Sequence, residues 1–275
     1  MKPTNLVVVV LYQQPIEKTP SFALLSQAVV DQKIQLVIFD NSPTEQHHSL
    51  FEKKFVNYYH DAQNPGLAAA YNYALSQAQP TIQRLITLDQ DTVLNESYLE
   101  QIRQVEFSDD CVVAVPMIFD QGQQISPVYA DQYVNRTYRA VSEVGLTEQR
   151  VMAINSGTVF SISFLQTIGG FNPAFSLDFL DHWFFWKVHQ LHKKIEILPI
   201  RLEHDLSVLN YEKVSTTRYE SILAAETKFY REYDQIHWKK HRKQLLLRSI
   251  KQFLTVKNRK IWRLTLRVYV EMGKV

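Results

Sequence analysis

A single cysteine in 275 residues excludes an intramolecular disulfide framework. Cys111 lies in the apolar run Cys111-Val112-Val113-Ala114-Val115, which reads as a buried strand, and a reducing, cytoplasmic compartment fits it best. No stretch approaches the ~20 consecutive apolar residues that span a bilayer, so any membrane contact is expected to be peripheral. Met1 to Asn5 followed by Leu6 to Leu11 has the charged-then-apolar order of a signal peptide. The run is short and no small-residue cleavage site follows, so it is read as the first strand. Only seven glycines occur, and Leu11-Tyr12-Gln13-Gln14, the segment after that strand, holds none. A glycine-rich phosphate loop after strand one is therefore missing. Long polar tracts are absent too: 45% of residues are hydrophobic and 21% charged, the balance of a folded chain. From Trp238 onward acids run out, with Glu271 alone against a series of lysines and arginines, so the net charge of +2 conceals a basic tail.

What is present alternates strand and helix. Leu6 to Leu11 is a continuous β-branched run, the pattern of a strand covered on both faces, and a parallel sheet follows from it. A helix around Phe22 to Asp31 leads to a strand from Ile34 to Phe39, and Phe55 to Tyr59 reads as another strand. Leu67 to Ala78 is a helix, Leu85 to Leu88 a strand, Glu96 to Val105 a helix and Cys111 to Ile118 a strand. Phe119 to Arg150 loses this regularity and is expected to form loops and short antiparallel strands. Val151 to Ile162 reads as a strand broken at Asn155-Ser156-Gly157, then Phe164 to Ile168 as a short helix ended by Gly169-Gly170. Asp178 to His192 is helical, Lys194 to Leu198 a strand, and beyond Ser215 the chain is almost wholly helix-compatible. The division expected is 1–214, with halves of about 1–118 and 119–214, followed by a basic helical extension over 215–275.

Four constellations carry chemistry. Leu85-Ile86-Thr87-Leu88-Asp89-Gln90-Asp91 sets two carboxylates two residues apart past a strand end, a pattern suited to sharing Mg²⁺ or Mn²⁺ with substrate phosphates and equally to a turn or a helix cap. Asn64-Pro65-Gly66-Leu67-Ala68-Ala69-Ala70-Tyr71-Asn72 opens a helix with almost no bulk, which suits either close approach of a phosphate or tight packing. Asn72 needs a reason to sit on so apolar a helix. In Gly169 to Asp181, Asp178 suits an N-cap, while Asp181 beside Trp183-Phe184-Phe185-Trp186 is expected to have a raised proton affinity, useful in a general base. The fourth is His204, after a strand. In an open parallel sheet the ligand crevice lies beyond the carboxyl ends of the strands, where Asp40, Asn64 and Asp89/Asp91 should converge.

The order of these features resembles family-2 glycosyltransferases of the GT-A fold over roughly Asn5 to Ser207, and most of all a bacterial rhamnosyltransferase-like branch that reads Phe-x-x-Asp-x-x-Asp where this chain has Phe175 to Asp181. The resemblance implies an α/β fold with a Rossmann-like, mostly parallel central sheet flanked by helices, and inverting transfer of a sugar from a nucleoside-diphosphate donor. Asp40 would hold the donor's base or ribose, with Asn64, Gly66 and Asn72 lining the same pocket. Asp89 and Asp91 would handle the ribose and the metal–diphosphate, Mn²⁺ or Mg²⁺ being the cofactor. His204 would approach the metal or pyrophosphate, Asn155, Ser156 and Gly157 would line the donor sugar, and Asp181 would be the base. Where the family often carries an arginine six residues after the base, this chain has Lys187, which keeps the charge and loses the bidentate fork.

The resemblance suggests a dTDP-rhamnose or UDP-hexose donor and a lipid-linked saccharide acceptor at the inner face of the plasma membrane, in polysaccharide assembly. Two other readings stand beside it. A sugar nucleotidyltransferase would release pyrophosphate, not a nucleoside diphosphate, and the glycine-free segment after strand one weighs against it. A non-catalytic subunit would use the tail, whose interleaved apolar and basic residues suit an anionic membrane surface better than nucleic acid, or a helical hairpin that packs inward.

Overall fold

The computed structural model describes residues 3–134, 138–203 and 214–273. The chain forms two compact units: Met1–Tyr129 with Arg139–Asp205, and Ala130–Tyr138 with Leu206–Val275.

In the first unit β1 (Asn5–Leu11) and β2 (Ile34–Asp40) are buried along their whole length, as two-sided cover of an apolar run requires. Helix α1 (Phe22–Val30) joins them, and β3 (Val56–His60), α2 (Leu67–Ser76) and β4 (Arg84–Asp89) follow. Next come α3 (Tyr98–Ile102), β5 (Cys111–Asp120), β6 (Gln123–Ser126), β7 (Val128–Tyr129), β8 (Gly145–Thr147), β9 (Val151–Met152) and β10 (Val159–Ser161). Helices α4 (Ile162–Thr167) and α5 (Leu180–Gln190) precede β11 (Lys194–Glu203). The sheet runs in the order β3-β2-β1-β4-β10-β5-β11-β8, with β6 paired to β5. β1, β2, β3 and β4 are mutually parallel, β11 is parallel to β5, and β10 and β8 run antiparallel to their neighbours. This is the expected mostly parallel sheet, with β7 and β9 forming a separate antiparallel pair. Because β2 and β3 lie to one side of β1 and β4 to the other, the topological switch point falls between the ends of β1 and β4.

Three of the element boundaries that differ from the sequence expectation show what decided them. α3 is only five residues long. The Val105 carbonyl at its expected end is instead taken by the buried guanidinium of Arg84, at 2.7 Å. β11 reaches Glu203, well past Leu198, because β5 itself continues to Asp120 and offers a parallel partner. Its register breaks between Ile197 and Arg201, where Pro199 has no N–H to donate. α5 begins at Leu180 with Phe179, not Asp178, at its N-cap.

The second unit is helical: α6 (Thr216–Glu232), α7 (Trp238–Thr255) and α8 (Arg259–Glu271). Ser215 starts α6 by accepting from the Arg218 N–H at 3.1 Å. Tyr219, Leu223, Leu245, Ile261, Leu264 and Met272 form its apolar core, so the buried face of α8 is spent inside this unit. Beside that core lies a buried polar knot. Arg248 donates to both Glu226 oxygens at 2.7 Å, and Tyr133 donates to Glu226 at 3.0 Å and meets His241 Nδ1 at 3.0 Å. Burial alone would raise the Glu226 carboxyl, but Arg248, with help from His241 and Tyr133, pulls it down to about 2. Burial lowers His241 to about 4, against the pull of Glu226, and its Nε2 has no partner, as a neutral ring allows. An unfolded histidine takes up its proton near pH 6.5 and Glu226 when unfolded near 4.5, both above their folded values. The unfolded state therefore binds more protons on acidification, and the unit loses stability as pH falls from about 6.5 through 4 and on toward 2, on the order of 1 kcal/mol per pH unit. Denaturant midpoints measured across that range should fall with pH; a flat profile would contradict the buried neutral histidine.

Candidate active site

The ends of β1, β2 and β4 meet loops held by a dense set of hydrogen bonds. Asp89 closes β4 and is half-buried, and Asp91 two residues on is exposed. The turn between them is fixed from below. Ser156, fully buried, accepts from the Asp89 N–H at 2.9 Å and its hydroxyl bonds that of Thr92. The Thr87 hydroxyl donates to the Asn155 carbonyl, and the Gly157 N–H to the Thr87 carbonyl at 2.8 Å. Gln90 faces the other way and accepts from the Tyr12 N–H at 2.7 Å, tying the end of β1 to the carboxylate turn across the switch point. Asn155-Ser156-Gly157, expected to line the donor sugar, thus lies against the end of β4. Here, however, Ser156 and Gly157 act as the footing of the turn. A Cβ on Gly157 would stand 2.6 Å from Leu202, and its carbonyl accepts from Tyr98 at 2.8 Å. Asn155 differs, since its side-chain oxygen is buried and has no hydrogen-bond partner.

Asp40 is wholly buried, with one oxygen accepting from the Ser42 N–H at 2.9 Å and the other from the Tyr58 hydroxyl at 2.8 Å. Burial first, and then the Asp40 charge, hold the Tyr58 hydroxyl above the usual phenol range. Asp40 thus shapes the loop after β2. Asn41 beside it carries a second buried, unpartnered side-chain oxygen, a candidate ligand contact that sequence reading passed over within Asp40-Asn41-Ser42-Pro43.

The small-residue start of α2 has a packing explanation. Gly66 adopts φ +93°, and a Cβ there would lie 2.4 Å from the Ser176 carbonyl oxygen, which accepts from the Ala68 N–H at 3.1 Å. Close approach is made by the chain's own Ser176, where a phosphate was one of the two alternatives, and Asn64 stands exposed before it in a left-handed turn at φ +50°. Asn72 likewise has its reason: its amide donates to the Phe171 carbonyl at 2.7 Å and accepts from the Phe171 N–H at 2.8 Å. Gly66 and Asn72 therefore clamp 170–176, the segment that leads into Asp181. Gly66→Ala combines the clash with a left-handed backbone and should cost at least about 1–3 kcal/mol, read as a fall in melting temperature; an unchanged melt would contradict the clamp.

Asp181 lies in the first turn of α5, half-buried, its carboxylate accepting from the His182 N–H at 2.8 Å. α5 is anchored by Phe184, edge-on to Phe160 at 4.8 Å and tilted against Phe171 at 5.8 Å. Phe179 precedes the helix at φ +62° and stacks on His182 at 4.4 Å. A bulky residue so placed stores strain of order 1–2 kcal/mol and marks a segment held by its surroundings. Tyr71 on α2 feels charge from both Asp89 and Asp181. Its hydroxyl is fully buried beside Thr87 and lacks a hydrogen bond of ordinary geometry, and burial, then the charges of Asp89 and Asp181, keep it far above the phenol range. The end of β4 and the start of α5 thus act on one buried hydroxyl. α2 carries two phenols, Tyr71 and Tyr73, and nothing local in the sequence marks Tyr71 as the one that is wholly buried.

His204 lies outside the described residues. Among the described residues no three His, Cys, Asp or Glu side chains gather into a metal cage. Asp89 and Asp91, with the unpartnered Asn155 oxygen behind them, are hard oxygen donors, and they fit a Mg²⁺ or Mn²⁺ ion that is completed by substrate phosphates.

The family model for glycosyl transferase family 2 matches residues 7–168, more than half of the chain. The chain belongs to this family. No curated protein matches it by sequence. Among solved structures, S. aureus TarS residues 1–349 in complex with UDP-GlcNAc superposes with a TM-score of 0.58 at 17% identity, covering 99% of this chain and 81% of that one. S. aureus TarS itself gives a TM-score of 0.55 at 17% identity over 99% of this chain and 49% of that one. Mannosyltransferase PcManGT from Pyrobaculum calidifontis, in complex with GDP-Man and Mn²⁺, gives 0.54 at 12% identity over 100% and 86%. These likenesses establish the fold, which is GT-A-like. In this family-2 chain the matched span takes in the ends of β1, β2 and β4 and the Asn155 turn; Asp181 lies beyond it.

Proposed function

We propose that this family-2 glycosyltransferase is an inverting enzyme that moves rhamnose or a hexose from a dTDP- or UDP-linked donor to a hydroxyl of a lipid-linked saccharide at the inner face of the plasma membrane. The support is the family-2 match over residues 7–168, together with a buried Tyr71 hydroxyl that feels the charges of both the donor-side Asp89 and the candidate base Asp181. The acceptor hydroxyl gives its proton to Asp181 as its oxygen attacks the anomeric carbon. The bond from that carbon to the diphosphate oxygen breaks, its electron pair leaves with the diphosphate, and the configuration inverts. Asp91 and His204 would hold Mn²⁺ or Mg²⁺ together with the diphosphate, and the bound ion supplies Lewis-acid stabilisation of the leaving group. Asp89 and Asn155 take the ribose and sugar side, on the strength of the half-buried carboxylate and the unpartnered amide oxygen. Asp40, Asn72, Gly66, Ser156 and Gly157 act behind them by fixing the loops. The related proteins crystallised with UDP-GlcNAc and with GDP-Man and Mn²⁺ support a nucleotide-sugar donor and a divalent ion here.

The test is a screen of nucleotide sugars with Mn²⁺, read as nucleoside diphosphate released. One or two donors should be hydrolysed, and Asp91→Ala should abolish release. Release of pyrophosphate, or of nothing from any donor, would overturn the proposal.

A further inference from the structure

The basic extension has two apolar faces, and the fold of the helical unit uses one. On α7 the buried positions His241, Leu245, Ser249 and Gln252 share one side. At 3.6 residues per turn, Ile250, Leu254 and Leu247 fall about 140°, 180° and 200° around the helix from Leu245. They form a stripe on the opposite side, and all three are exposed, Leu254 at 74%. α8 has no such second stripe of large aliphatics, since Ile261 and Leu264 are buried in the core of the unit. Lys243 stands in line with the α7 stripe one turn earlier, and Lys240 and Lys251 flank it, at about 160°, 220° and 240°. No acid occurs anywhere on α7.

We infer that this outward face of α7 docks on an anionic lipid surface, with Leu247, Ile250 and Leu254 entering the acyl boundary and Lys240, Lys243 and Lys251 meeting the headgroups. The occupant follows from shape and charge. The aliphatic side chains stand out from a convex helix, which suits a fluid interface that closes around them. The lysines can lay their stems along that boundary while their ammonium groups reach phosphate. A two-fold pairing of this face with a second copy would set lysines against lysines with no acid between them. Nucleic acid would meet the charges but leave the aliphatic ridge in water. The surface belongs to the helical unit and does not depend on sugar transfer.

The test is cosedimentation of the full chain with phosphatidylcholine vesicles, with and without phosphatidylglycerol, in the absence of donor and acceptor. Binding should require phosphatidylglycerol and weaken as salt rises. Ile250→Glu with Leu254→Glu should lower it by at least ~10-fold at an unchanged melting temperature, since both side chains are already in water. Lys243→Ala with Lys251→Ala should reduce both binding and its salt dependence. No vesicle binding by the wild-type chain, or equal binding by the glutamate variant, overturns the inference. So does a concentration-dependent dimer in sedimentation that the glutamate variant abolishes, which would assign the face to a second copy. Because no sugar chemistry is measured, failure here leaves nucleoside diphosphate release untouched, and the converse holds as well.

Discussion

Asp181→Asn should lower turnover 10²–10⁴-fold while donor affinity, measured by calorimetry with Mn²⁺, stays within a few-fold of wild type. Asparagine keeps the size of the side chain and can still accept from the His182 N–H at the start of α5, so the helix is not expected to move. What it loses is the capacity to take a proton. The aromatic anchors of α5, Phe184 and its contacts to Phe160 and Phe171, are untouched by the change. A loss confined to kcat therefore reports on proton removal from the acceptor and not on local unfolding. Asp91→Ala makes the contrast: it should remove metal-dependent donor binding itself. Wild-type turnover in the asparagine variant would exclude Asp181 as the base and leave the donor side standing.

Breaking the Arg248–Glu226 pair from one side should cost the helical unit about 3–5 kcal/mol. Glu226→Met leaves the guanidinium, which donates two hydrogen bonds of 2.7 Å to that carboxylate, without a counter-charge, and Arg248→Met leaves a buried carboxylate beside Tyr133 and His241. Replacing both residues by methionine removes both charges together and should cost less than the two single changes added, because neither desolvated ion remains. Denaturant unfolding of the four proteins supplies the cycle. Single substitutions that each cost under about 1 kcal/mol would show that the pair is exposed in solution.

The parallel half of the fold could be read from the sequence because its signals are dense and local. Leu6 to Leu11 is an uninterrupted apolar run and Ile34 to Phe39 is broken by Gln35 alone, and each became a fully buried strand. Boundaries failed where a distant partner decided them. Arg84 taking the Val105 carbonyl and β5 extending β11 are both long-range effects without a local mark. At the site, the sequence located the acids and the small-residue segments but not the division of labour among them. Ser156, Gly157, Gly66 and Asn72 are polar or small because main chain must pass close by: the Asp89 N–H in one case, Phe171 and Ser176 in the other. A sequence shows that a small or polar residue is needed and not which neighbour needs it. Tyr71 and Asn41 were invisible for the opposite reason, since their lack of partners exists only in three dimensions. The tail shows the same limit. Its apolar residues belong to two faces, and only folding reveals that α8 is spent in a core while Leu247, Ile250 and Leu254 remain in water.

The claim on which the rest depends is that the turn after β4 holds a divalent ion against a sugar nucleotide. Crystals grown with Mn²⁺ and the donor selected by the hydrolysis screen, measured at the manganese absorption edge, test it most directly. The account predicts an anomalous peak between the Asp91 carboxylate and the diphosphate, with the sugar lying between Asn155 and Asp181. Density for the nucleotide elsewhere on the chain, or a peak that does not touch Asp91, would contradict it.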